Sequence, residues 1–300
     1  MRGEQVAVVA ERAPDCEDGA VTPEAGRVAL IINPLRAGAT ELAARARCWW
    51  EKAGFKVVED HVGGTVASSI GDSLEFVMSF GGDGTMLRAV QATAGRDVPV
   101  VGVNLGKLGY LAQIEPEHLE HSLERLISGD FELDRRMMLA VQVHRAATGE
   151  GERHLALNEA TLERREPGHT IDVAVEIDDE PFIAYTADGV IVATPTGSTA
   201  YNLSARGPVV SPTLRLFILT PISPHRLFDR SVVLGPEQSL RLCLSDGHEG
   251  VLVVDGMGVA HLDAGDTVQV SAAPEQVPLV RLGRRGFHTV LREKFSLEGR

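Results

Sequence analysis

Cysteine is scarce. The chain has three in 300 residues, Cys16, Cys48 and Cys243, odd in number and scattered without a CxxC or metal-ligand spacing. That excludes a disulfide framework and indicates reduced thiols in a cytosolic protein. Long apolar runs are also missing, none approaching the roughly 20 residues needed to cross a bilayer. The stretch from Val6 to Ala10 is too short for a secretory leader and runs into Glu11, Asp15, Glu17 and Asp18. A cytoplasmic location without a membrane partner is the expectation. Positive charge is outnumbered, 29 Lys and Arg against 42 Asp and Glu for a net −13, so the surface repels nucleic acid and anionic membranes. An anionic ligand then needs glycines, helix ends or a few arginines to reverse the field locally. Familiar catalytic spacings are absent too. The ten histidines contain no HxxxH or HExxH, which argues against a protein-built metal cage. Gly197-Ser198 does not sit in GxSxG. No GxxxxGK is present, which excludes a P-loop NTPase.

What is present is ordinary globular material, 44% apolar and 24% charged, with length for one large or two medium domains. Residues 1–26 are rich in acids, with Pro14 and Pro23, and read as a poorly ordered extension. From Arg27 to Asn33 an unbroken apolar run predicts a buried strand. Helical spacing follows at Leu42, Ala43, Ala46 and Trp49, with Thr40 as N-cap and Gly54 as stop. Strands at Phe55 to Val58, Val77 to Phe80 and Val100 to Val103 alternate with helices at Gly84 to Ala94 and from Glu115-Pro116 to Gly129. That alternation predicts an α/β N-terminal domain with a doubly wound, mostly parallel sheet over 27–136.

Near Met137 the period changes to two. Leu139, Val141 and Val143 alternate with polar or small neighbours, and Ile171, Val173, Val175 and Ile177 do so more cleanly. Short strands follow at Phe182 to Thr186, Val190 to Ala193, Leu214 to Leu219, Leu240 to Leu244, Val251 to Val254 and Thr267 to Val270, separated by turn chemistry such as Asp178-Asp179-Glu180 and Asp246-Gly247. These predict an all-β C-terminal domain over 137–273, with 274–300 returning to the first domain.

Three stretches carry chemistry. In Gly81-Gly82-Asp83-Gly84-Thr85 a strand stops at glycines and a helix starts at once. Backbone N–H groups and a helix N-terminus converge there, which suits a phosphate chain at Gly81, Gly82 and Thr85. An acid in an anion site is odd: Asp83 either caps the helix or is a general base taking a proton from an attacking hydroxyl. The second stretch runs from Asp188 to Tyr201, dense in hydroxyls and ending in an aromatic that can stack on a planar ring, with Thr199 to Ser204 as one short helix. The third is Asn158-Glu159, able to grip ribose hydroxyls but on the residues alone better read as a solvent-facing loop. Arg88 either neutralises a phosphate or lies on a solvated helix face. Asp255-Gly256 reads as a hairpin turn.

GGDGT, Asn158-Glu159 and DGVIVATPTGSTAYNLSA, in that order, resemble the NAD kinase family from about Arg27 to Phe295. GVNLGKLGYLA (Gly102 to Ala112) and TPISPHRLFDRSVVL (Thr220 to Leu234) are similar too. GGDG alone is shared with lipid kinases and phosphofructokinase-type enzymes; joined to TPTGSTAY it is highly specific. The resemblance implies an α/β domain and a β-rich domain with the active site in the crevice between them. The activity it implies is transfer of the ATP γ-phosphoryl group to the 2′-hydroxyl of the adenosine ribose of NAD. It implies Asp83 as the catalytic acid, with Asp83, Gly84, Arg88, Asn158, Glu159, His169, Asp188, Thr199, Ala200, Tyr201, Asn202, Leu203 and Ser204 on NAD. It further implies ATP or polyphosphate as donor, a divalent cation (usually magnesium) held with ATP, and a homodimer or homotetramer. His169 is placed by no motif. Arg206 departs from the family's usual glycine. A lipid kinase of the GGDG superfamily and a non-catalytic dinucleotide sensor are the rival expectations.

Overall fold

The computed structural model describes residues 26–61, 74–93, 95–106, 109–149, 151–225, 227–245, 247, 249–283 and 286–297. The acidic stretch before Gly26 lies outside them. The chain divides into two compact units, one comprising residues up to Arg135 and those from Val277 on, the other Arg136–Gln276.

In the first unit, β1 (Arg27–Ile32), β2 (Lys56–His61), β3 (Leu74–Gly81) and β4 (Val100–Asn104) form a parallel sheet in the order β2-β1-β3-β4. Helices α1 (Ala39–Lys52), α2 (Asp83–Ala92) and α3 (Leu119–Ile127) follow β1, β3 and β4. Because successive strand residues point to opposite faces, Met78 and Ser79 show how the sheet is wound. The Trp50 indole of α1 donates to Met78 Sδ at 3.1 Å, while the Ser79 hydroxyl donates to Met86 Sδ of α2 at 3.4 Å. Helices therefore cover both faces, as a doubly wound sheet requires. Trp50 is fully buried and packs against Phe55 and Phe76.

The second unit is a sandwich of antiparallel sheets. One is six-stranded, in the order β12-β11-β10-β7-β14-β15, built from β7 (Glu159–Arg164), β10 (Gly189–Ala193), β11 (Phe217–Ile222), β12 (Val232–Leu234), β14 (Gly250–Val254) and β15 (Met257–Leu262). Facing it, β13 (Ser239–Leu244) lies between the first part of β16 (Thr267–Arg281) and β8 (Ile171–Ile177), with β9 (Glu180–Ala187) at the edge. β5 (Glu132–His144) pairs with β6 (Arg153–Ala156). Alternate residues of both sheets fill one core: Val173, Val175, Leu240, Leu242, Val268 and Val270 against Leu162, Val190, Val192, Leu219 and Leu252. Period-two patterning is expressed as one buried face in β8, β13 and β14, whereas β10 and β11 are buried on both faces.

Several local expectations change. Thr40 is not the N-cap of α1; Gly38 holds that place in the left-handed region at φ 79 and no side chain caps the helix. The helix expected from Glu115 is a 3₁₀ turn at Pro116–His118 followed by α3, and the strand expected from Leu214 begins at Phe217. β7, β12 and β15 are not predicted as strands from sequence: β7 opens on the Asn158-Glu159 pair that reads as a loop, β12 is short, and β15 is interrupted by Gly258 and His261.

Arg206 sits at φ 64, just after the α4 turn (Tyr201–Ser204). A side chain in that region costs about 1–2 kcal/mol, partly offset by the larger unfolded-state entropy of glycine. Arg206→Gly is expected to raise unfolding free energy by about 0.5–1 kcal/mol, measured by urea denaturation.

Candidate active site

The first group of site residues lies in the α/β unit. Gly82 precedes α2 with extended backbone, and Asp83 is the first helical residue. Its carboxylate does not cap α2. Instead Oδ2 accepts the Tyr110 amide at 3.0 Å and Oδ1 accepts the Leu111 amide at 3.1 Å. The helix-cap reading of Asp83 is therefore set aside. Gly109 makes the arrangement possible, since a Cβ there would stand 2.4 Å from Asp83 Oδ1. Gly81 is needed inside the fold, because a Cβ would meet Thr85 Oγ1 at 2.1 Å. Gly82 and Gly84 differ. A Cβ on either would touch nothing within 4 Å, so the space beside them is open to an approaching group. Thr85 is buried, and Arg88 stands half-buried one turn further along α2.

The second group lies in the sandwich and is organised by Asp255. This residue occupies the β14–β15 turn at φ 47, yet it is only 6% exposed. Its carboxylate accepts the amides of Leu157 (2.8 Å), Asn158 (2.7 Å) and Glu159 (3.2 Å). Asp255 is thus more than a hairpin residue: it orients the Asn158-Glu159 pair. The pair is not a solvent-facing loop either, since both residues are buried. Asn158 also accepts the Thr194 amide through its carbonyl (2.8 Å), and Thr194 Oγ1 accepts the Gly197 amide (3.0 Å) while donating to the Leu157 carbonyl (2.5 Å). Gly197 must be glycine here, as a Cβ would lie 2.1 Å from the Asn158 oxygen. Backbone and hydroxyls thereby lock the TPTGS turn onto Asn158.

Glu159 is electrostatically unusual. Burial, then the neighbouring Asp255 charge, push its carboxyl up to about 8, against one opposing backbone hydrogen bond from Tyr201. Burial also raises Asp255, to about 6, but the three amides it accepts favour its charged form. Asp255 therefore keeps the charge and Glu159 keeps the proton. Glu159 Oε2 is buried without an internal partner, a polar atom left for something outside the chain.

The remaining expected residues divide. Thr199 closes a 3₁₀ turn (Gly197–Thr199), Ala200 separates it from α4, and Tyr201–Ser204 forms α4, so the expected single helix is two short ones. Tyr201 is 38% exposed, with its ring accessible. Asn202 is fully buried; its amide donates to the Ser198 and Pro208 carbonyls and its oxygen accepts from Thr220, so it braces the segment. Leu203 is half-buried and Ser204 exposed. Asp188 pairs with Arg164 at 2.5 Å, and Arg164 donates to the His169 carbonyl at 3.0 Å. A cleft within this unit is lined by Glu163, Arg164, Arg165, Asp188 and Tyr201, bringing Asp188 and Tyr201 together; His169 is exposed and tied in only through its backbone. Sequence reasoning missed Gly109, Arg164 and Asp255. Gly109 lies within the family-like GVNLGKLGYLA stretch and Asp255 in the Asp-Gly turn that reads as a hairpin, whereas Arg164 carries no signal.

A carboxyl whose folded value is raised holds its proton on folding, so it stabilises below its unfolded value and loses that contribution as pH rises through the folded one. For Glu159 the window runs from 4.5 to about 8. Thermal denaturation from pH 5 to 9 should show wild type losing melting temperature with rising pH, and Glu159→Gln with a flatter profile above about pH 6, where Asp255 no longer titrates.

Comparison with known proteins accounts for most of the chain. Residues 28–131 match the ATP-NAD kinase N-terminal domain and 157–282 the ATP-NAD kinase C-terminal domain. The NAD kinase of Heliobacterium modesticaldum is 42% identical over 224 residues, 74% of this chain and 79% of that protein. The NAD kinase of Wolinella succinogenes is 35% identical over 277 residues, 90% and 95% of the two. Among solved structures, an NAD kinase from Archaeoglobus fulgidus in complex with ATP superposes with TM-score 0.70 at 28% identity, covering 90% of this chain and 97% of its own. Yeast NADH kinase complexed with NADH shares the fold at TM-score 0.85 and 22% identity, covering 92% and 89%. With both domain models matched in order and a relative 35% identical over 95% of its own length, the chain belongs to the NAD kinase family.

Proposed function

We propose that the chain is an NAD kinase that transfers the γ-phosphoryl group of ATP to the 2′-hydroxyl of the adenosine ribose of NAD, giving NADP and ADP. The observation that supports this most directly is the Asp83 carboxylate, held from behind by the Tyr110 and Leu111 amides beside an open glycine turn. Asp83 acts as general base: the ribose hydroxyl oxygen attacks the γ-phosphorus and its proton passes to the carboxylate. The bond from γ-phosphorus to the bridging oxygen breaks, and its electron pair leaves with ADP. Gly81, Gly82 and Thr85 bind the donor phosphates at the start of α2, with the helix dipole favouring negative charge.

On the acceptor side, Asn158 and Glu159 hold NAD hydroxyls, Glu159 through its unpartnered oxygen. Tyr201 stacks on a ring, while Thr199, Ala200, Leu203 and Ser204 wall the nucleoside and Asn202 braces them. Gly84, Arg88, Asp188 and His169 complete the contacts. Among the described residues no three His, Cys, Asp or Glu side chains gather where they would hold a metal ion. The divalent cation, magnesium, enters with the donor triphosphate, whose negative charge it offsets. Polyphosphate is a second donor of the same chemistry. No helix among the described residues is long and apolar enough to cross a membrane, and Cys48 and Cys243 are free thiols; both suit a cytoplasmic enzyme. Exposed Phe182, Phe228 and Val233 offer apolar surface for a homodimer or homotetramer.

Purified protein with ATP, magnesium and NAD should form NADP, detected with an NADP-specific dehydrogenase; no NADP from ATP or polyphosphate overturns the proposal. Asp83→Asn is expected to bind NAD as wild type does while losing roughly 10²–10⁴-fold in kcat. Magnesium alone should give no calorimetric binding isotherm with the ligand-free protein, whereas chelation of the cation abolishes turnover.

A further inference from the structure

The last helix, α5 (Phe287–Lys294), returns to the loop that holds Asp83. Phe287 and Lys294 are seven residues apart, two helical turns, and so share one face. Both meet the same ring. The Phe287 and Tyr110 centroids lie 6.4 Å apart, and Lys294 Nζ stands 4.0 Å from the Tyr110 centroid. From that perch Nζ is 3.9 Å from Asp83 Oδ2, the oxygen that accepts the Tyr110 amide. One edge of the carboxylate therefore faces Leu111 and Gly109, and the other faces Tyr110 and the ammonium.

Stability does not account for this contact. Both side chains are about a third exposed, 35% for Lys294 and 31% for Asp83, where ion pairs contribute little to folding. The cation–π contact serves instead to hold a flexible four-carbon stem above one ring. An ammonium held in that way limits how the adjacent carboxylate turns, and misplacing a reacting group by about 1 Å can cost roughly 10²-fold.

We propose that Lys294 is a positioning residue for phosphoryl transfer, acting through Asp83: the ammonium, seated on Tyr110, fixes the Oδ2 edge of the base, so that α5 completes the catalytic turn. This rests on the reading of Asp83 as general base. Lys294→Met keeps an apolar stem on Tyr110 and removes the charge, and Lys294→Arg keeps the charge and the ring contact.

The test is steady-state kinetics on Lys294→Met, Lys294→Arg, Asp83→Asn and the Asp83→Asn/Lys294→Met double variant, with melting temperature as the folding control. Lys294→Met is expected to lose roughly 10–100-fold in kcat with KM for NAD and for ATP changed less than about twofold, the signature of an interaction made in the transition state. Lys294→Arg should recover most of that loss. In the Asp83→Asn background the lysine substitution should cause no further loss, because its effect passes through the carboxylate. A Lys294→Met enzyme within about twofold of wild type in kcat, beside an inactive Asp83→Asn, overturns the inference and leaves the general-base reading standing. Equal loss from Lys294→Met in both backgrounds also overturns it, by showing that the lysine acts independently. Near-normal turnover by Asp83→Asn instead removes the reading on which the inference rests.

Discussion

A buried carboxylate needs donors, and in the sandwich unit those donors decide the local architecture. Asp255 is withdrawn from water at a turn, a position that costs several kcal/mol unless the charge is hydrogen-bonded. Three consecutive amides from a segment 96 to 98 residues away in sequence meet that requirement. Meeting it stops the chain at Leu157–Glu159 from running on as regular strand, turns Asn158 toward Thr194, and leaves Glu159 beside a charge. The raised Glu159 carboxyl and its unpartnered oxygen follow from that placement.

The α/β unit uses the same device with less burial. Asp83 accepts two amides from Tyr110 and Leu111, and Gly109 is the place where the loop comes too close for any side chain. In both units a carboxylate oxygen substitutes for backbone pairing at a loop, which gives a flexible segment the precision of a strand. The difference lies in solvent. Asp83 stays partly exposed beside open glycines, whereas Asp255 is sealed and orients its neighbours.

Much of the fold was legible because it follows from periodicity. The unbroken run Val28–Ile32 is buried on both faces, as parallel strands between helices must be, and the alternation of Ile171, Val173 and Val175 is that of a sheet with one buried face. The glycine turn at Gly81 to Gly84 was legible for a similar reason, since strand, turn and helix are contiguous. Asp255, Arg164 and Lys294 were not. Each looks ordinary in sequence, a hairpin acid, a strand-end arginine and a basic residue in a last helical turn. Their contacts are with partners distant along the chain.

Sequence alone therefore determined the class of each unit, the order of the elements with a clear period and the family, because those depend on local period, turn chemistry and contiguous motifs. Tertiary structure decided that Asp83 faces away from its own helix, that Asn158-Glu159 is buried and that Glu159 rather than Asp255 keeps the proton. The reason is physical: a carboxylate's charge and direction are set by the donors and the dielectric around it, and here the chain brings those together only by folding.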